Sequence, residues 1–203
     1  MQEDSVIKTL KNDLNFTDES ILKLKLFYKI LLKANKNHNF ISKSTELNIW
    51  HRHILDSAQI VKFVDFEHGS LADFGSGAGF PGLVLALYNK NKDFHVKLYE
   101  KSPVKRKFLQ WVIKELDIKA DIYSNIFDEK ITSNTVVCRA FKKLDHLIQV
   151  SREIIKIPHK MIVLKGQNAQ EELNKAFKTK KYTYKLEESI TDSNSKIIII
   201  NFN

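Results

Sequence analysis

The segment Leu71-Ala72-Asp73-Phe74-Gly75-Ser76-Gly77-Ala78-Gly79-Phe80-Pro81-Gly82 restricts the possible folds more than any other part of the chain. Its first four residues suit a short buried strand, Leu71–Phe74. Glycines then recur at every second position, which lets the main chain turn sharply and approach a ligand without Cβ interference. A helix is expected to follow Pro81, its free amides facing that ligand. Strand, glycine turn and helix in this order open a doubly wound α/β sheet. Asp73, at the strand end, is placed to hold polar groups of the ligand directly or through water.

Two ligand classes compete for such a turn. An acid followed by x-Gly-x-Gly-x-Gly, starting at Asp73, is the pattern of S-adenosylmethionine sites. Gly77 to Gly82 also satisfies G-x-G-x-x-G, the dinucleotide fingerprint. That fingerprint begins directly after its strand, whereas here Gly75 and Ser76 intervene. Glu100 closes the next strand, where an acid would accept from ribose hydroxyls under either reading. A turn without any ligand is the third possibility, and it leaves Asp73 and Glu100 at two strand ends as coincidence. The methyl-donor reading leads.

The remaining pattern agrees with an α/β class. The first 66 residues read as helices. Thr17 caps one with Ile21, Leu24, Tyr28, Leu31 and Leu32 on its apolar face, and residues 52–64 repeat the spacing through Ile54, Leu55, Ala58, Val61 and Val64. Beyond Ser70, strands are expected at Leu71–Phe74, Phe94–Tyr99, Ala120–Tyr123, Thr135–Cys138, Met161–Leu164, Tyr182–Leu186 and Lys196–Phe202. Helices alternate with them. One opens at Ser102 and Pro103 with Val104, Phe108, Val112 and Leu116 inward; one spans about 143–156; one is capped by Asn168 and Glu171 and runs to about Lys178. Ile197 to Ile200 is apolar on both pleat faces, so the last strand should be interior. The expectation is a Rossmann-like class I methyltransferase sheet of about seven strands, the last one antiparallel, spanning 67–203, with an N-terminal helical cap at 1–66.

Composition narrows the setting. No apolar run approaches the roughly 20 residues that span a bilayer, and Met1 to Ser5 lacks a secretory pattern. Cys138 is the single cysteine, so an intrachain disulfide is impossible and a Cys-rich metal site is excluded. A cytoplasmic location without membrane or metal is the expectation. Lys+Arg number 33 against 24 Asp+Glu, giving +9, which favours a polyanionic partner. Only four of the 33 are Arg, and a Lys-, Asn- and Ile-rich composition produces such a charge without any partner.

The acceptor is narrowed by missing machinery. After the fourth strand stands Cys138-Arg139-Ala140-Phe141, not the Asn/Asp-Pro-Pro-aromatic motif that binds an exocyclic amine. Carbon-5 methylation of pyrimidines needs an activated cysteine, and Cys138 reads as a small buried residue. A ring nitrogen with its own lone pair, such as guanine nitrogen 7, needs neither base nor nucleophile, only positioning and charge control.

Five blocks in order then resemble one family. Asn35 to Ser42 is similar to N-K-x-x-N-L-T-S, with Phe40 and Ile41 departing; Arg52 to Ser57 to R/E-H-I-L-D-S; Asp73 to Gly82 to D-x-G-x-G-x-G-x-P-G; Arg139-Ala140-Phe141 to R-A-F; and Leu164-Lys165-Gly166 to L-K-G. The chain is identified by these as resembling the RsmG (GidB) family, bacterial enzymes that methylate nitrogen 7 of one guanine in 16S ribosomal RNA. The resemblance implies S-adenosylmethionine as cofactor, held around Gly75, Phe80, the Ile126–Phe127 main chain and Arg139. Glu100-Lys101 stands where the family has Asp-Ser, and Val104-Lys105, with Arg106 and Lys107 next, where it has Lys-Arg. The full candidate cofactor set is Asp73, Gly75, Gly77, Gly79, Phe80, Glu100, Ile126, Phe127 and Arg139. Arg139 and Lys165 are the candidate positioning residues. Asn39, His53, Lys105, Arg106 and Lys165 are the candidate RNA contacts, and no residue is assigned as acid or base. Ordinary roles stay open beside these: an ion pair for Arg139, a surface position for Lys165, packing for His53, a helix cap for Asn39, a solvated helix face for Lys105 to Lys107. Phe80 and Phe141 are candidates to stack on an exposed base. The expected partner is 16S ribosomal RNA or the small ribosomal subunit, met by a monomer. Methylation elsewhere on RNA or on protein, and RNA binding without catalysis, are the alternatives.

Overall fold

The computed structural model describes residues 2–128, 130–178 and 182–203. Its sheet has seven strands: β1 (Ser70–Phe74), β2 (His95–Tyr99), β3 (Ala120–Tyr123), β4 (Thr135–Arg139), β5 (His159–Lys165), β6 (Tyr184–Glu188) and β7 (Lys196–Phe202). They lie in the order β3-β2-β1-β4-β5-β7-β6. The first five are parallel, and β7 runs antiparallel to both β5 and β6. The expected interior position of the Ile197–Ile200 run is met, because apolar side chains on both pleat faces need cover on both sides. After β1 the chain builds outward through β2 and β3, then returns to place β4 on β1's other edge. The carboxyl ends of β1 and β4 therefore flank the switch point, where open α/β sheets bind ligands.

Among the described residues, eight helical segments cover the faces: α1 (Gln2–Asn12), α2 (Asp18–Asn35), α3 (Lys43–Glu46), α4 (residues 50–63), α5 (Gly82–Tyr88), α6 (Pro103–Glu115), α7 (Leu144–Ile154) and α8 (Ala169–Ala176). On one face α5, α6 and the N-terminal helices share a core that includes Leu10, Phe27, Ile54, Leu83 and Leu109. On the other, α7 and α8 close over Ala72, Val136, Met161 and Ile198. The Thr17 cap is realised, its hydroxyl accepting from the Ser20 N–H at 3.1 Å. The buried stripe of α2 runs through Ile21, Leu24, Phe27 and Leu31, with Tyr28 and Leu32 half-buried at its edge. Among the described residues no helix is long and apolar enough to cross a membrane.

Several local expectations need correction. Val104 is 47 % exposed, because α6 turns Phe108, Leu109 and Val112 inward. Asn168 makes no capping bond, and α8 ends at Ala176. Glu171 is exposed, and its neighbour Glu172 instead takes the Leu144 N–H at 2.7 Å. The sixth strand starts at Tyr184, while the Tyr182 ring packs against Phe177 and Phe202.

Candidate active site

The glycine turn holds its own shape with its own amides. Gly75 and Ser76 donate to the Tyr99 carbonyl at 2.9 and 3.0 Å. Gly79 and Phe80 donate to the Ser76 carbonyl, Gly77 to Glu100 Oε2 at 2.9 Å, and Gly82 to Asp73 Oδ2 at 2.9 Å. At the start of α5 the first amides are not open to a ligand: Pro81 has no N–H, Asp73 captures that of Gly82 and the Gly79 carbonyl that of Leu83. Asp73 itself is fully buried and off the pocket wall. Its second oxygen, Oδ1, has no partner among the described residues. Burial raises its carboxyl to about 7, partly opposed by the Gly82 and Ser76 hydrogen bonds and by Arg139. Asp73 thus pins the loop to α5.

A pocket of about 240 Å³ opens beside this turn, walled by Gly75, Gly77, Glu100, Lys105, Ile126 and Phe141, among others. Gly77 has φ +58° and open space where a Cβ would be, its nearest contact being the Gly75 carbonyl at 3.8 Å. At Gly75 (φ +77°) a Cβ would lie 2.3 Å from the Phe141 ring, so Phe141 rests directly on that glycine. Glu100 accepts from Gly77 N and, at 2.7 Å, from Ser102 N. A carboxylate accepts about four hydrogen bonds, so two places remain for ligand hydroxyls.

Besides Asp73, four candidates for this pocket stand elsewhere. Gly79 faces Leu83, where a Cβ would come within 2.4 Å, so it serves packing. The Phe80 side chain is buried against Phe27 and His53, with the Arg139 guanidinium 5.2 Å from its ring centre. The buried ring leaves no open face for a base to stack on. Phe127 is half-exposed and off the wall, and only its neighbour Ile126 lines the pocket. Arg139 is absent from the wall of the smaller pocket and runs towards α4, its guanidinium lying over the Phe80 ring.

There it enters a second, larger pocket, about 500 Å³, lined by Thr45, Arg52, His53, Asp56, Arg139 and Lys165 with the Ser189–Lys196 turn. Arg139 donates to the Arg52 carbonyl at 2.9 Å, to Asp56 Oδ2 at 3.2 Å and to His53 Nδ1 at 2.7 Å. The first turns of α4 are π-helical, and the Asp56 N–H reaches back to the His51 carbonyl. Such widened turns gather at functional sites, and here one presents the Arg52 carbonyl, His53 and Asp56 together. His53 is held neutral: burial, with Arg139 and Arg52 beside it, lowers it to about 3. Its Nδ1 accepts, so its Nε2 donates to Thr45 Oγ1 at 2.9 Å. Lys165 is no surface lysine. It pairs with Glu172 at 2.9 Å and donates to the Lys142 carbonyl.

The two pockets share Ala140, a non-glycine residue at φ +51°. Left-handed backbone at an alanine costs on the order of 1 kcal/mol, and its effect is to send Arg139 into one pocket and Phe141 into the other. Arg106, a candidate RNA contact, instead clamps the Glu100 and Lys101 carbonyls, while Lys105 does line the smaller pocket. Asn39 is exposed and caps no helix, since α3 starts after Ser42. Its neighbour Asn35 does the structural work: Oδ1 takes the Phe40 and Ile41 amides, Nδ2 gives to the Ile41 carbonyl. Sequence reasoning missed Asp56, Gln59 and Thr191. Asp56 Oδ1 accepts from both of the others, at 2.9 and 2.8 Å. The i, i+4 spacing of Arg52 and Asp56 was the available signal. Cys138 is buried and pushed up to about 12, so it is no nucleophile.

A sheet in the order 3-2-1-4-5-7-6 with its last strand reversed, carrying a glycine turn and an acid at the first two strand ends, makes this a class I S-adenosylmethionine-dependent methyltransferase. Solved structures agree on the fold: an O-methyltransferase from Bacillus cereus in complex with SAH superposes with TM-score 0.62 at 11% identity over 98% of this chain and 99% of that one. Magnesium protoporphyrin IX methyltransferase from Synechocystis PCC 6803 with bound SAM gives 0.61 at 12% over 86% and 96%. The family model for rRNA small subunit methyltransferase G matches residues 20–198, and the chain belongs to that family. Ribosomal RNA small subunit methyltransferase G of Pelagibacter ubique (strain HTCC1062) is 35% identical over 94% of this chain and 92% of its own length. The protein of that name from Orientia tsutsugamushi (strain Ikeda) is 35% identical over 92% of each.

Proposed function

We propose that this protein methylates guanine nitrogen 7 in small-subunit (16S) ribosomal RNA, in the cytoplasm and as a monomer. The observation that carries the reading is the pair of pockets meeting at Ala140, one beside the glycine turn and one beside Arg139. The residues of the smaller pocket fit S-adenosylmethionine: Gly77 leaves room for it, Glu100 keeps acceptor capacity for ribose hydroxyls, and Ile126 offers an apolar wall to the adenine. When bound, that cofactor supplies an electrophilic methyl group on a sulfonium. The larger pocket receives the acceptor base beneath the cap formed by residues 1–66, with the methyltransferase domain at 67–203.

Arg139 and Lys165 stand at the ends of β4 and β5 and orient the base and its phosphate. Each is anchored by a carboxylate, Asp56 and Glu172, which fixes its direction before RNA arrives. Neutral His53 adds no charge to the pocket and holds Arg139 in line. A guanine nitrogen 7 lone pair attacks without losing a proton, so the absence of a usable base at His53 or a thiolate at Cys138 favours this acceptor over an exocyclic amine or pyrimidine carbon. The test is incubation with labelled S-adenosylmethionine and small-subunit ribosomal RNA, followed by mass-spectrometric location of the methyl group. Label on N7 of a single guanine supports the proposal; label on another atom, on protein, or none overturns it.

A further inference from the structure

A third opening, about 530 Å³, lies between the C-terminal end of α2, the loop after it and α6. This volume falls in the range of roughly 300–1,000 Å³ typical of small-ligand pockets. Four rings run along it: His38 meets Phe40 edge-on, Phe40 stacks on Phe108 with centres 4.3 Å apart, and Phe108 meets Trp111 edge-on. Trp111 is 38 % exposed, although a buried place is the usual one for so large an apolar ring. Lys33 and Lys107 stand at the groove and no carboxylate lines it. Among the described residues no salt bridge reaches either lysine. Helix α6 is a shared wall, carrying Lys105 into the pocket beside the glycine turn and Lys107 into this groove.

We infer that this groove docks an unpaired stretch of RNA, one base stacking on the Trp111 and Phe40 edge while Lys33 and Lys107 each take a phosphate. The occupant follows from charge and chemistry together. Aromatic faces beside unpaired cations recognise single-stranded nucleic acid through stacking and backbone attraction. A hydrophobic peptide would gain nothing from the two lysines. The inference rests on the ribosomal RNA reading of the active site and deepens it: nucleotides flanking the target are gripped here, so the groove sets affinity and leaves the transfer step alone.

The probe is a single-stranded hexauridylate, titrated while tryptophan fluorescence is followed. The chain has two tryptophans, and Trp50 is buried under Tyr28, so a ligand in the groove quenches Trp111 selectively. Quenching is expected in the wild type and lost in Trp111→Leu. The double variant Lys33→Gln, Lys107→Gln should bind about tenfold more weakly. Its plot of log affinity against log salt should be less steep by about 1.4, two phosphate contacts at roughly 0.7 each on a single strand. With small-subunit RNA the same variants should raise KM about tenfold, with kcat within twofold and heat of S-adenosylmethionine binding unchanged. Unaltered Trp111 emission on adding hexauridylate, an unaltered salt slope in the double variant, or quenching by an apolar peptide but not by RNA overturns the inference. Failure of methyl transfer in the wild type would count against the active-site reading, and the fluorescence titration would still judge the groove.

Discussion

Asp73 and His53 are buried groups whose natural charges the fold opposes, and their effects on stability run in opposite directions. His53 titrates near 6.5 when unfolded and about 3 when folded, so the unfolded chain binds its proton first and stability falls as pH drops below 6.5. Asp73 is raised from 3.8 to about 7, so the folded chain holds its proton longer and stability is lost as pH rises from about 4 to 7. Each slope is about 1.4 kcal/mol per pH unit, and between pH 4 and 6.5 they offset. Asp73→Asn keeps an acceptor for the Gly82 N–H and removes the ionisation. Urea unfolding of the ligand-free variant should show it more stable than wild type at pH 7.5 by at least about 1 kcal/mol, and steeply destabilised by acid below 6.5. Equal stability at pH 7.5 would contradict this account of Asp73. Gly75→Ala places a methyl group against Phe141 and a side chain at φ +77°. It should cost about 1–2 kcal/mol and weaken S-adenosylmethionine binding more than tenfold in calorimetry; undiminished binding would remove Gly75 from the cofactor wall.

At the scale of elements, several ties join the N-terminal helices to the sheet, and Asp56 carries two of them, one through each carboxylate oxygen. One oxygen holds Arg139 on β4; the other holds Thr191 in the β6–β7 turn and Gln59 on its own helix. Asp56→Ala should lower stability by about 1–3 kcal/mol, since it leaves a buried guanidinium without its carboxylate. It should cut kcat at least tenfold with little change in S-adenosylmethionine affinity, because Arg139 is freed to turn. Asp56→Glu restoring neither would argue for geometry over charge, while wild-type kcat in Asp56→Ala would refute the tie. The strand sequence, the glycine turn and the interior Ile197–Ile200 strand were legible in the sequence because two-residue periodicity and burial on both faces leave a direct imprint. What faces what was not legible. Phe80 lies in the expected loop, yet its direction depends on Phe27 and His53 arriving from elements far away in sequence. Arg106 looks like a phosphate contact until its helix turns it back onto the Glu100 and Lys101 carbonyls. Asn168 sits at capping spacing yet makes no capping bond, and Glu172, one position past the expected partner, turns instead to the Leu144 N–H of α7. Arg52, His53 and Asp56 share a side of α4 even at ordinary helix spacing, but the arrival of Arg139 from β4 to meet all three leaves no local mark in the sequence.

For the whole molecule, the sheet order places two pockets at one edge of the strand ends and divides their labour. The glycine turn serves one pocket, the cap helices and the β6–β7 turn serve the other, and Ala140 is the hinge point between them. In the mechanism proposed above the chemistry asked of the protein is alignment, with Arg139 and Lys165 already held by Asp56 and Glu172. Transfer of labelled methyl from S-adenosylmethionine to small-subunit ribosomal RNA by wild type and Arg139→Ala, with the product base identified, tests this most directly. The account predicts N7-methylguanine with wild type and at least a hundredfold lower rate with Arg139→Ala, at unchanged fold. Methyl on any other atom, or an Arg139→Ala enzyme as fast as wild type, would contradict it.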